Sequence, residues 1–163
     1  RGTTKNRYAK YSEEGTDYVD NMQRLLRKFE TAKSLVPQPV LRQAAQPSRF
    51  GVIHYGSTNA VMPESLDALE ARGVHLDTLR IRAFPFHDSI IDFIAAHEQV
   101  FVVEQNRDAQ LRTLLINEGM IDPAKLAPVL HYDGTPITAQ FIIKEISEKL
   151  AVLNVAPLRK VAP

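Results

Sequence analysis

Apolar residues change their spacing along this chain, and the changes mark its elements. Tyr18, Met22, Leu25, Leu26, Phe29 and Val36 recur at helical intervals with charges between them, predicting an amphipathic helix. Thr16 or Asp17 is placed to cap its start, and Pro37 and Pro39 end it. Residues 1–15 are polar and read as loop. Residues 37–49 (PQPVLRQAAQPSR) hold three prolines and no clear period, which predicts a linker or a segment draped over a surface. From residue 50 short apolar runs alternate with helical patterns. Strands are expected at Phe50–Tyr55, Val74–Ala83, Val100–Glu104 and Leu126–Tyr132. Helices are expected at 60–72, at 88 onward (Ile90, Ile91, Phe93, Ile94), at 109–118 and from Thr135-Pro136 (Ile137, Phe141, Ile142, Ile146, Leu150). Pro63 fits a first helical turn, while Gly73 and Gly119 fit helix ends. In the second strand Leu79, Ile81 and Ala83 share one face and Arg80 and Arg82 the other. Strand–helix repeated four times predicts an α/β fold: an open, mainly parallel sheet with helices on both faces, plus an N-terminal helix and linker. The tail, 151–163, is apolar and flanked by proline, with no element assigned.

Composition narrows the function classes. The 163 residues suit one domain with a full-sized core, or one domain plus an appendage. A formal net charge of +1 offers no overall attraction for nucleic acid or an anionic membrane. Arg24, Arg27 and Lys28 read as a solvated helix face. Without cysteine, the chain itself supplies no disulfide, thiolate zinc site, cysteine-bound iron–sulfur cluster or catalytic thiol. No apolar run approaches the ~20 residues that span a bilayer, and no signal peptide opens the chain. A cytoplasmic protein is expected. The first residue is Arg rather than Met, as expected of a piece of a longer polypeptide.

Ligands of open α/β sheets gather at the carboxyl ends of the strands. Four loops fall there: Tyr55–Asn59, Phe84–Asp88, the stretch VVEQNRDAQ (102–110) and His131–Gly134. The edge is polar, but the familiar kits are missing. GxGxxG, GxxxxGK[ST], GxSxG and HExxH do not occur. Histidines 54, 75, 87, 97 and 131 lack metal-ligand spacing and read as surface or hydrogen-bonded structural groups. Ser57 reads as a turn cap, and Asp133-Gly134 as a turn pair. Glu104, at the mouth of a buried strand, is the one candidate for an unusual pKa, and the competing expectation is that it pairs with Arg107 or with Arg82. The residues define a functional edge without separating a ligand site from a protein interface.

Several stretches resemble the C-terminal part of the α subunit of 2-oxoacid:ferredoxin oxidoreductases, particularly the 2-oxoglutarate type. They are VVEQNRDAQ (102–110), then VLHYDGTPITAQFI (129–142), with YGST (55–58) and LRIRAFPF (79–86) at the first two strand ends. RKFETAKSLVP (27–37) resembles the helix entering that domain, and RGT (1–3) a loop of the preceding pyrimidine-binding domain. The likeness covers the chain except 38–49 and the last dozen residues. More distantly, LRIRAFPFHD is similar to the second-strand end of transketolase-like C-terminal domains.

The resemblance implies an enzyme that oxidatively decarboxylates a 2-oxoacid to an acyl-CoA with thiamine diphosphate and magnesium. It passes electrons through iron–sulfur clusters to ferredoxin. It implies 1–49 as the end of the pyrimidine-binding domain with helix and linker, 50–150 as a transketolase C-terminal-like domain, and 151–163 as tail. The family's cofactor motifs are not in this chain, since HYDG (131–134) lacks the GDG and following NN of a diphosphate motif. Catalytic, cofactor-binding and metal residues are therefore expected elsewhere, with a β subunit as partner and CoA and ferredoxin acting on the complete enzyme. Arg1, in RGT, is the one expected substrate contact, since a bidentate arginine suits a carboxylate, and a neighbouring subunit is its alternative partner. Glu104, Asn106, Arg107, Asp108, Gln110, His131 and Tyr132 are expected to form an interface. Two other readings stand beside this one: a free-standing module that binds a small molecule at the Glu104–Asp108 edge, and an oligomerisation module.

Overall fold

The structure, a computed structural model, describes residues 2–153. Arg1 and the tail from residue 154 lie outside the described residues. The chain divides into two units. One comprises the residues up to Pro37 together with Ala83–His87; the other comprises Gln38–Arg82 and the residues from Asp88 on.

In the first unit, β1 (Thr4–Lys5) and β2 (Tyr11–Ser12) form an antiparallel hairpin where a loop was expected. Asn6 makes the turn, its Oδ1 accepting from the backbone N–H groups of Tyr8 and Lys10. Helix α1 (Gly15–Leu35) follows. Its N-cap is Glu14, not Thr16 or Asp17, which both lie inside the first turn. Asn21 Nδ2 donates to Lys5 O at 2.6 Å and to Thr4 Oγ1 at 2.9 Å, tying helix to hairpin. The apolar stripe forms as its period requires, yet no residue of α1 is buried. Phe84 stacks edge-on against Phe29 at 6.1 Å and against Phe86 at 5.2 Å.

The second unit is built on a five-stranded sheet. Its strands are β3 (Val40–Arg42), β4 (Phe50–Tyr55), β5 (Asp77–Ile81), β6 (Gln99–Glu104) and β7 (Leu126–Leu130), in the order β3-β5-β4-β6-β7. The last four are parallel; β3 adds antiparallel to β5. The proline-rich segment expected as a linker thus contributes an edge strand. Between Pro39 and Pro47 the chain keeps its N–H groups, and an edge position tolerates prolines on either side.

Register sorts the side chains onto two faces. Val52 pairs with Thr78 and Phe101, and Ile53 with Leu79 and Val102, so successive residues face opposite ways. On one face Val52, Phe101, Val103 and Val129 pack with α2 (Met62–Glu70) and α5 (Ala139–Val152). On the other, Gly51 lies under α3 (Asp88–Ala96), and Glu104 reaches the start of α4 (Gln110–Gly119).

Helix ends follow local rules. Gly73, at φ +81°, closes α2: its N–H bonds Glu70 O, and Val74 N bonds Leu69 O, the Schellman pattern. Helix α4 runs through Gly119 and ends at Met120, which adopts the left-handed conformation itself. Gly119 has another reason to be glycine, because a Cβ there would lie 2.6 Å from Ile91 Cδ1. Helix α5 starts at Ala139, not at Thr135-Pro136; Thr138 caps it, its Oγ1 accepting from Phe141 N. Lys125 Nζ donates to the carbonyls of Ile94, Ala95 and His97, covering the end of α3. No helix among the described residues is long and apolar enough to cross a membrane.

Candidate functional site

After β4 the chain turns onto the α2 face, and after the adjacent β6 it turns onto the α4 face. Such a reversal opens a crevice at the carboxyl ends of the two strands. Here the crevice is bridged. The turn Gly56–Ala60 leaves β4 with Gly56 at φ +59°. Gln105, just past β6, donates through Nε2 to Ser57 Oγ at 3.0 Å and Thr58 Oγ1 at 3.1 Å. Ser57 therefore takes a bond from the opposite loop.

Glu104 is fully buried. It pairs with neither Arg107 nor Arg82. Its Oε2 accepts from Leu111 N at 2.7 Å and from Asn106 Nδ2 at 2.8 Å, and its Oε1 accepts from Arg112 N at 2.9 Å. Those backbone groups lie in the first turn of α4, where N–H groups have no partner within the helix. The carboxylate thus caps a helix that starts six residues after it, and the positive end of the helix dipole faces it. Asn106 Oδ1 accepts from Asp108 N and Gln110 N, and Ala109 turns the chain at φ 50°. Arg107 Nε donates to its neighbour Asp108 at 2.8 Å, and both side chains are well exposed. Of the residues read from the sequence, Glu104 and Asn106 are engaged by the fold itself. Arg107, Asp108 and Gln110 remain on the surface.

The loop after β7 stands beside this one. His131 N donates to Glu104 O at 2.9 Å, extending the β6–β7 pairing by one residue. The His131 ring is buried edge-on against Phe141 at 4.8 Å, with Nε2 3.4 Å from Asp133 Oδ1. Asp133 Oδ1 accepts from both the N–H and the hydroxyl of Thr135, and these bonds hold its carboxyl below the usual range. Tyr132 is 62% exposed. Gln105, His131, Tyr132, Gly134 and Thr135 line an open groove of about 340 Å³. The exposed part of VVEQNRDAQ borders a second, of about 260 Å³, with Asp108, Gln110 and Thr113 on its wall.

Histidines 97, 75 and 54 each contact a neighbouring acceptor. His97 Nδ1 donates to Phe93 O at 2.7 Å, and its Nε2 lies 3.2 Å from Asp77 Oδ2. His75 lies 3.3 Å from Glu70, and His54 Nε2 lies 3.3 Å from Asn59 Oδ1. No three His, Asp or Glu side chains among the described residues are grouped to hold a metal ion. Arg1 lies outside the described residues. Sequence reading missed Gln105 as a bridge; its place directly after a strand at a sheet reversal was the available signal.

The fold defines the class: an α/β domain with a mainly parallel sheet, helices on both faces and a polar carboxyl edge. No protein-family model matches the chain, and no curated protein matches it. Among solved structures it is similar to 2-oxoglutarate:ferredoxin oxidoreductase from Magnetococcus marinus, with 2-oxoglutarate, coenzyme A and succinyl-CoA bound. The TM-score is 0.78 and the identity 20%, over 90% of this chain and 25% of that one. It is also similar to the alpha chain of a probable 2-oxoacid ferredoxin oxidoreductase from Thermoplasma acidophilum. There the TM-score is 0.47 and the identity 22%, over 70% of this chain and 97% of that one. The chain thus spans about a quarter of the length of the first neighbour.

Proposed function

We propose that this chain is the C-terminal part of the α subunit of a 2-oxoacid:ferredoxin oxidoreductase, with 2-oxoglutarate as the oxoacid. The observation that carries the reading is a coincidence of place. The stretches that resemble this family occur in order on a fold shared with such an enzyme, and two of them, VVEQNRDAQ and HYDGT, stand side by side at the carboxyl edge.

In this reading the domain packs the assembly and borders the active site. Arg107, Asp108, Gln110 and Tyr132 offer exposed polar and aromatic groups to a partner, held by the internal bonds of Glu104, Asn106 and His131. A polar interface gains specificity when its partner completes such bonds. The α1 stripe supports the same role. Tyr18, Met22, Leu25, Leu26 and Phe29 are all more than a third exposed, and a contiguous apolar patch on a surface marks an interaction site. Partners are the β subunit and, at the level of the complete enzyme, CoA and ferredoxin, in the cytoplasm. Arg1 is the proposed contact with the substrate carboxylate.

The residues present do not fit thiamine diphosphate with magnesium. In the HYDG turn Asp133 is engaged by Thr135, and no group of three His, Asp or Glu side chains that could hold a metal ion stands among the described residues. The cofactors and iron–sulfur clusters belong, in this reading, to other parts of the enzyme, and no catalytic step runs through this chain's described residues.

The test is reconstitution. The chain alone should give no CoA-dependent reduction of ferredoxin with 2-oxoglutarate; the complete α subunit combined with β should give turnover. Tight binding of thiamine diphosphate by the isolated chain in calorimetry would contradict the assignment of that cofactor elsewhere.

A further inference from the structure

Two buried side-chain nitrogens among the described residues have no hydrogen-bond partner: His54 Nδ1 and Arg80 Nε. They are neighbours. His54 on β4 and Arg80 on β5 are register partners, so both side chains leave the sheet on the α2 face. His54 is 4% exposed and Arg80 is half-buried, flanked on its other side by Val40 of the edge strand. No carboxylate pairs with Arg80 among the described residues, although Arg42, on the same face, has Asp67 at 4.0 Å. Buried polar atoms are nearly always bonded, and a buried guanidinium is ordinarily matched by an anion. One orphan on a surface loop would carry little meaning. Two on adjacent central strands, at the end of the sheet where ligands gather, are a built feature.

We propose that His54 and Arg80 form a binding site for a small oxyanion, a carboxylate or a phosphate group. The site stands on its own geometry and holds whether or not the family reading does. Asn59 Oδ1 is an acceptor, so the ring's Nε2–H donates to it and the neutral ring presents Nδ1 as a bare lone pair. An oxyanion can accept from Arg80 Nε–H at once. It can accept from His54 only when Nδ1 gains a proton, so binding takes up that proton from solvent. The environment of the ring leaves room for this. Burial lowers the His54 pKa, the Asn59 bond raises it, and the Arg80 charge lowers it further. On the same face of the neighbouring strand β6, Phe101 and Val103 are apolar, as is the cluster from α2 and α5 under this face. An anion between the two groups reverses the repulsion and favours the imidazolium.

The experiment is a titration of the chain, with ¹⁵N-labelled histidine, by inorganic phosphate and separately by acetate at fixed ionic strength. It is read by ring ¹⁵N shifts at about pH 6 and about pH 8, either side of the ordinary histidine value. His54 Nδ1 should move towards its protonated position, and acetate, which stays fully ionised at both values, should bind more tightly at the lower pH, as proton linkage requires. His97, whose nitrogens both have partners, should stay still and reports that the fold holds. Arg80→Gln should abolish the response. Movement with phosphate alone assigns a phosphate group, and movement with acetate alone assigns a carboxylate. If His54 does not move with either anion up to about 100 mM, where a millimolar site is saturated, the proposal is wrong. The wild-type titration decides this even if Arg80→Gln fails to fold.

Discussion

Glu104 accepts three hydrogen bonds, none from the side chain of an arginine or lysine, and two of them come from the start of α4. Removing it leaves the part-buried backbone N–H groups of Leu111 and Arg112 without that acceptor, each a desolvation cost of up to about 1–3 kcal/mol. Glu104→Ala should therefore destabilise the domain by roughly 3 kcal/mol, and Glu104→Gln by less, since the amide keeps one accepting oxygen. Urea midpoints of the two variants check this; equal and negligible shifts would show that the cap is dispensable. The sequence pointed to Glu104 as unusual because a carboxylate at the end of an apolar strand needs a partner. It suggested the wrong one. Arginines are conspicuous in a sequence, whereas a helix N-terminus becomes a partner only once the chain has folded back. His54 and Arg80 were legible only as a structural histidine and a polar strand position. Their adjacency depends on strand order.

At the scale of elements, the parallel strands and the five helices follow from periodicity, because each element must turn its apolar residues to one side. Ends were less legible. Thr135-Pro136 looks like a helix start, but Asp133 engages Thr135, and Thr138 takes the cap. The edge strand β3 carries no alternation strong enough to predict it; β5 supplies the template. Gly51 shows how a strand residue is set by what lies above it. A Cβ there would sit 2.7 Å from two carbons of the Phe93 ring. Gly51→Ala should cost about 1–3 kcal/mol by overpacking. Adding Phe93→Leu should cost less in that background than in the wild type, because the two sites share one space. Thermal unfolding of the double-mutant cycle measures the coupling, and strict additivity would refute it.

For the whole molecule, the question is which surfaces are complete. Among the described residues Arg107 bonds only its sequence neighbour Asp108, in water, and an exposed pair of this kind contributes little to stability. Arg107→Ala should therefore leave the unfolding midpoint within about 0.5 kcal/mol of wild type. If this edge docks against the rest of an oxidoreductase, the same change should weaken assembly, seen as faster dissociation by surface plasmon resonance against the β subunit. A variant that unfolds would show the arginine to be internal to the fold; one that assembles normally would remove it from the interface.

By itself the sequence determined the α/β class, the polarity of the carboxyl edge and the amphipathic N-terminal helix. These are consequences of spacing, and spacing is written in one dimension. The tertiary structure alone decided which polar groups at that edge are engaged and which are free. It set Glu104 on α4, joined Gln105 to Ser57 and Thr58, and brought His54 beside Arg80. Hydrogen bonding and charge pairing act over a few ångströms, and only folding brings groups such as Gln105 and Ser57, 48 residues apart in sequence, within that range.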